Sequence, residues 1–248
     1  MRRPLDLLDN KYTRGVVAVS AGSDRFPGAA ILTVGGARRG NAGYVKLVST
    51  DERLQDLVIS RFPDVVPVEN LDQERVDAIV IGPGMGSLTS IPNRVPLVLD
   101  GASIERVRER GFLDDHPITV ITPHVGELRF CGIEGENPTS RDEREQIALR
   151  IARELGVIVV LKGHQTVIAE PEGETFFDEV GGPELATAGT GDVLAGLIGS
   201  MLVALKEGGS AFDYICRAVT LHSRAGAYAR KAFTSVTAVE VMESLAFV

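Results

Sequence analysis

Ala188-Gly189-Thr190-Gly191-Asp192 runs without a break into Val193-Leu194-Ala195-Gly196-Leu197-Ile198-Gly199-Ser200-Met201-Leu202. A glycine turn here delivers the chain into an apolar helix. Two glycines let the backbone fold tightly with its N–H groups turned inward. The helix adds unpaired first-turn donors and the positive end of its dipole. Such a turn is an anion hole, suited to a phosphate group or to negative charge developing on one. A carboxylate beside bound phosphate is electrostatically awkward, so Asp192 reads as a general base for a substrate hydroxyl. The competing reading is that Asp192 only caps the helix, since Asp is a favoured N-cap.

The rest of the chain sets that turn in an α/β context. Its 248 residues can bury one substantial core, and 44% hydrophobic with 24% charged residues is the balance of an ordinary soluble globule. A net charge of −8 argues against a general nucleic-acid or membrane-surface binder. Any anionic ligand must therefore be held by a local site. Cys131 and Cys216 lie far apart, in no metal-like spacing, and read as buried free thiols of a reducing compartment. The opening residues Met1-Arg2-Arg3-Pro4-Leu5-Asp6 lack the apolar run of a signal peptide, and no stretch suits a bilayer span. A cytoplasmic protein is expected.

Continuous apolar runs at 16–20, 44–49, 77–81, 96–99, 118–122 and 157–161 fit strands covered by helices on both faces. Between 140 and 155, Ile147, Ile151 and Leu155 form an apolar stripe; Ser140 with Glu143 makes a capping box, and Gly156 ends the helix. Ser210 with Asp213, and Thr237 with Glu240, sit like helix starts. Pro171-Glu172-Gly173-Glu174 reads as the turn of a hairpin between 166 and 180. With no repeat or linker, residues 1–248 are expected to form one domain, a mainly parallel sheet between two helical layers.

Five polar or glycine-rich clusters each follow a run of this kind: 22–28, 82–86, 122–127, 162–166 and 189–192. In open α/β sheets ligands sit beyond the carboxyl ends of the strands, so these clusters should converge on one edge. Ile81-Gly82-Pro83-Gly84-Met85-Gly86 matches neither the dinucleotide fingerprint nor Walker A, and reads as a turn open to a ligand's close approach. In Thr122-Pro123-His124-Val125-Gly126-Glu127, His124 reads as a substrate hydrogen-bonding group and Glu127 as a helix-opening acid favoured by the dipole. Lys162 stands at a strand end as a candidate phosphate point charge. The small residues after Phe26-Pro27-Gly28 suit close helix–sheet packing.

Taken in this order, the segments resemble the ribokinase-like NAD(P)H-hydrate dehydratases, which repair hydrated nicotinamide cofactors. The resemblance runs from 26–30 through 82–86, 122–127 and 162–166 to 186–192. Gly-Thr-Gly-Asp is shared by many ribokinase-like kinases; the Thr-Pro-His-x-Gly-Glu and Lys-Gly-x-x-Thr elements are more specific. It implies a ribokinase-like three-layer sandwich, a lyase that uses ADP or ATP with magnesium, and a homotetramer. Residue by residue, Lys162, Gly163, His164, Gln165 and Thr166 would contact the nucleotide, with Gly189, Thr190 and Gly191 at its phosphate end. Ala29, Gly84 and His124 would line the pocket for the hydrated cofactor, faced by Asp192. No protein-held metal ligand is assigned.

The chain also departs from the family's usual pattern. Leu99-Asp100-Gly101-Ala102-Ser103-Ile104 replaces Leu-Asp-Ala-Asp-Ala-Leu, so a second acid is missing. Gly181-Gly182-Pro183-Glu184-Leu185-Ala186 replaces Gly-Asn-Pro-Gly-Met/Leu-Ala, which is expected to put Glu184 near the phosphate site. The short 87–94 segment leaves no room for the helix usual there, and no fused epimerase domain is expected. Arg38 and Arg39 stand as candidates for reading a 2′-phosphate. These departures keep two other functions open: a small-molecule kinase acting on a vitamin-precursor hydroxyl, and a non-catalytic nucleotide-binding protein.

Overall fold

The six apolar runs all form strands in the computed structural model, which describes residues 4–88, 90–116, 118–163 and 165–248. In chain order the strands are β1 (Val16–Ser20), β2 (Tyr44–Val48), β3 (Val66–Val68), β4 (Ala78–Ile81), β5 (Leu97–Leu99), β6 (Thr119–Ile121), β7 (Ile158–Leu161), β8 (Val167–Ala169) and β9 (Thr175–Phe177). They make one sheet in the order β3-β2-β1-β4-β5-β6-β7-β8-β9. All pairings from β3 to β7 are parallel, and the β8–β9 hairpin extends the sheet antiparallel from β7. Sequence reading did not find β3. It is a three-residue, half-buried strand centred on Pro67, too short and too mixed to show a pattern.

The helices are α1 (Pro27–Ala37), α2 (Glu52–Arg61), α3 (Phe112–Asp115), α4 (Arg141–Leu155), α5 (Thr190–Leu202), α6 (Ala211–Ala232) and α7 (Ala238–Ser244). Strand alternation splits the core into two layers. Val17 and Val19 face the cluster built with α1, α2, α5, α6 and α7, while Ala18, Ile79, Ile81 and Val159 face α4 and the 3₁₀ segments Gly101–Arg108 and Val125–Cys131. Helix boundaries follow local chemistry. Ser140 and Glu143 close the capping box of α4, and Gly156 ends that helix in the left-handed conformation. Ser210 caps α6, and Thr237 with Glu240 makes another capping box, on α7. The described residues of 87–94 form no helix, as the short segment requires. Both cysteines are free; Cys131 is buried, whereas Cys216 is only half-buried, on the flank of α6. No described helix is long and apolar enough to cross a membrane.

The small residues of α1 and α5 let the two helices touch backbone to backbone. A Cβ on Gly196 would overlap the carbonyl oxygen of Thr33, and one on Gly36 would overlap that of Val193. These atoms are main chain and cannot rotate away, so Gly196→Ala is expected to cost about 1–3 kcal/mol or more through overpacking. Denaturant melts would measure this, and a wild-type midpoint would show that the contact is soft. This contact matters for function because α1 and α5 both begin at the edge where β1, β4, β5, β6 and β7 end.

Candidate active site

All five clusters meet at that edge, around one open cavity of about 950 Å³. Residues from each of them line it, including Gly28 and Ala29, Gly84, His124, Lys162, and the run from Gly189 to Asp192. Convergence follows from topology: parallel strands deliver their C-terminal loops to the same side. Of the residues assigned from the sequence, Ala29, Gly84, His124, Lys162, Gly163, Thr166, Gly189, Thr190, Gly191 and Asp192 border the cavity. Gln165 does not border it, and His164 lies outside the described residues.

The glycine turn has the form its sequence suggests. Gly189 is the N-cap residue of α5, with φ 93° in the left-handed region that glycine adopts without strain. Asp192 is therefore the third helical residue and not the cap, and its carboxylate makes no capping bond. Thr190 holds the turn with its Oγ1, which donates to the carbonyl oxygens of Leu185 (2.8 Å) and Thr187 (2.9 Å).

Across from it, Lys162 leaves β7 into a cage of acids. Its Nζ lies 2.6 Å from Asp100 Oδ1 and 3.7 Å from Glu127 Oε2. A Cβ on Gly191 would come within 3.3 Å of the same ammonium, which places it beside the first turn of α5. The cage is fixed from behind. Thr122 Oγ1 donates to Asp100 at 2.6 Å, Arg144 Nη2 donates to the carbonyls of Leu161 and Lys162, and the amide of Lys162 donates to Pro123. Burial opposes the Lys162 charge, but Asp100 and Glu127 hold the ammonium above its ordinary pKa.

Asp192 is driven the other way. Burial, then the negative charge of Asp100, pushes its carboxyl up to about 7; Lys162 pulls against this and Glu127 adds to it. A carboxyl titrating near neutrality can hold or accept a proton at working pH, which suits a general base. His222 of α6 also borders the cavity, and burial takes it down to about 4, so its imidazole is neutral at neutral pH.

His124 and Glu127 turn out to serve each other. His124 Nδ1 accepts from the amide of Gly126 at 2.9 Å, and Glu127 Oε2 accepts from the amide of His124 at 2.9 Å, a capping box on the 3₁₀ turn. Glu127 thus plays its helix-start role and also faces Lys162. Sequence reading gave Asp100 no function. Its signals were an acid at the end of an apolar strand and the first acid retained in the Leu99–Ile104 segment.

Three other sequence candidates do not line the cavity. Glu184 does not border the cavity: its side chain is 6% exposed, packed against Gly182 and Gly226, with its carboxylate 3.4 Å from Arg230 Nη1 of α6. The missing side chains at both glycines leave the space that draws it away from the cavity. Arg38 and Arg39 border a separate recess with Arg61 and Phe62, and Arg38 pairs with Asp64 at 2.7 Å.

Among the described residues, no group of three or more His, Cys, Asp and Glu is placed to hold a metal ion. The gap between Asp100 and Glu127 is taken by the Lys162 ammonium.

Comparison with known proteins agrees with this architecture. The family model described as NAD(P)H-hydrate dehydratase matches residues 17–246. A bifunctional NAD(P)H-hydrate repair enzyme of Mycobacterium tuberculosis is 35% identical over 82% of this chain, which spans only 44% of that protein's length. An ADP-dependent (S)-NAD(P)H-hydrate dehydratase of Bacillus subtilis is 31% identical, covering 88% of this chain and 82% of the relative. The crystal structure of an ADP/ATP-dependent NAD(P)H-hydrate dehydratase from Bacillus subtilis, co-crystallized with ATP/Mg2+, superimposes with a TM-score of 0.80. That superposition has 29% identity over 98% of this chain and 91% of the other. Hydroxyethylthiazole kinase of Pyrococcus horikoshii, 20% identical with a TM-score of 0.66 over 96% of this chain and 90% of its own, shares the ribokinase-like fold alone. With the family model matched from the first strand to the last helix, the chain belongs to the NAD(P)H-hydrate dehydratase family.

Proposed function

We propose that this protein is a lyase that regenerates NADH or NADPH from its (S)-hydrate, with ADP or ATP as phosphoryl donor. The observation that carries this reading is Asp192. It stands half-buried in the wall of the cavity, free of any capping bond among the described residues, with its carboxyl pushed up to about 7. Asp192 takes the proton of the ring hydroxyl, whose oxygen attacks the terminal phosphorus of the nucleotide; the bond from that phosphorus to the bridging oxygen breaks, and AMP (from ADP) or ADP (from ATP) leaves. The amides of Gly189, Thr190 and Gly191 receive the phosphoryl charge as it develops. Phosphate then leaves the ring carbon, pushed by the lone pair of the ring nitrogen, and loss of the neighbouring carbon-bound proton restores the double bond. Hydroxide would be a poor leaving group; phosphate is a good one.

In this reading Lys162, Gly163, His164, Gln165 and Thr166 flank the nucleotide, while Ala29, Gly84 and His124 flank the hydrated ring. Magnesium belongs to the nucleotide substrate, bound to its phosphates, since the protein's own acids are engaged by Lys162. The test is to incubate the protein with hydrated NADH or NADPH, magnesium, and ADP or ATP. Recovery of dihydronicotinamide absorbance is expected. A folded sample giving no recovery with either nucleotide would refute the reading, and a persistent phosphoester would identify a small-molecule kinase instead.

A further inference from the structure

The cavity walls are acidic for a site that must receive two phosphorylated ligands. Asp100, Glu127 and Asp192 line it against two cationic side chains among the described residues, Lys162 and Arg25. Lys162 is committed to Asp100 and Glu127. Arg25 is not committed. It is exposed at the mouth on the β1–α1 loop and makes no ion pair or hydrogen bond among the described residues. Its guanidinium rests on the ring of Phe26, 5.2 Å from the centroid. Phe26 (43% exposed) and Met85 (62% exposed) both line the cavity and leave apolar surface open there. Such surface beside an unpaired cation suits a ligand that is both aromatic and anionic.

Position decides which ligand. Four interstrand steps separate β1 from β7, about 19 Å at the usual spacing of about 4.8 Å. Arg25 therefore enters from the wall opposite Lys162, four residues before Ala29, whose Cβ a side chain on Gly84 would overlap. Between them Gly28 faces open space, for a Cβ there would meet nothing within 4 Å. Its N–H, a first-turn donor of α1, has no hydrogen-bond partner among the described residues.

We infer that Arg25, seated on Phe26 at the cavity mouth, binds a phosphate group of the dinucleotide. This rests on the proposed placement of the hydrated ring against Ala29 and Gly84. The phosphate is either the pyrophosphate, common to both cofactors, or the 2′-phosphate of NADPH. Arg offers a planar fork for phosphate oxygens that Lys does not reproduce.

The experiment measures binding to the full chain: NADPH and NADH by dihydronicotinamide fluorescence, ADP by calorimetry, for wild type, Arg25→Gln and Arg25→Lys. Loss of a charge-assisted hydrogen bond should weaken dinucleotide binding about 10- to 100-fold in Arg25→Gln. Arg25→Lys should recover part of this, and ADP affinity and melting temperature should stay at wild-type values. An equal loss for NADH and NADPH assigns the pyrophosphate; a loss for NADPH alone assigns the 2′-phosphate. Unchanged affinity for both dinucleotides, an equal fall in ADP affinity, or no dinucleotide binding by wild type would overturn the inference. A wild type that binds NADPH yet turns over no hydrate would sink the dehydratase reading and leave this one standing.

Discussion

Asp192→Asn is expected to lower kcat by about 10²–10⁴-fold, the usual worth of a positioned general base, while ADP still binds. Asn keeps the size of the side chain and cannot take a proton, so the amides at 189–191 remain to hold phosphate. The pH profile supplies an independent check. Folding raises the Asp192 pKa from 3.8 to about 7, so the protonated form is favoured and the basic form appears only as pH rises through about 7. Wild-type kcat/KM should therefore climb with pH across neutrality, and the residual activity of Asp192→Asn should lack that limb. The sign for stability runs in the opposite direction. A raised carboxyl contributes stability below its unfolded pKa and loses it as pH climbs through its folded one. Removing the charge should leave Asp192→Asn at least as stable as wild type in mildly alkaline solution. Turnover close to wild type, or an unmoved pH limb, would take the proton-accepting role from Asp192.

Lys162→Met is expected to destabilise the fold by about 3–5 kcal/mol, because breaking a buried ion pair leaves an uncompensated charge behind. The side chains of Lys162 and Asp100 are 15% and 7% exposed, so water reaches the pair poorly. Without the ammonium, Asp100, Glu127 and Asp192 line the cavity without their shared cation. The double variant Asp100→Asn with Lys162→Met should regain much of the loss, since it removes a charge from each side. Denaturant titration of the two single variants and the double variant would measure the coupling. Additive single effects would show that the pair contributes little to stability. Activity should not return with stability, because the proposed nucleotide contact at Lys162 is gone in both.

Much of this was legible in the linear chain, wherever the deciding interaction is local. Continuous apolar runs announce strands buried on both faces, and they appear within a residue or two of their expected ends. Ser140 with Glu143, and Thr237 with Glu240, bond across one turn, so the capping chemistry is written in neighbouring residues. Gly189 at a left-handed position before an apolar helix is equally local. The meeting of five strand-end clusters needed only one general rule, that ligands gather where parallel strands end.

What only the tertiary structure decided are the encounters between residues far apart in sequence. Asp100 and Lys162 lie 62 positions apart, and nothing beside either residue signals the pair. They meet because β5 and β7 flank β6 in one parallel sheet. Glu184 could be drawn to the phosphate end by sequence order, yet a space left by Gly182 and Gly226 carries it toward Arg230 instead. Arg38 and Arg39 were singled out by proximity in sequence, yet they border a separate recess, whereas Arg25 lines the cavity. Backbone periodicity and capping act over a few residues, so the sequence alone determined most of the elements and the glycine turn that opens α5. Charge pairing, burial and the pKa of Asp192 depend on distances between separate strands, and those distances exist only after the sheet has formed.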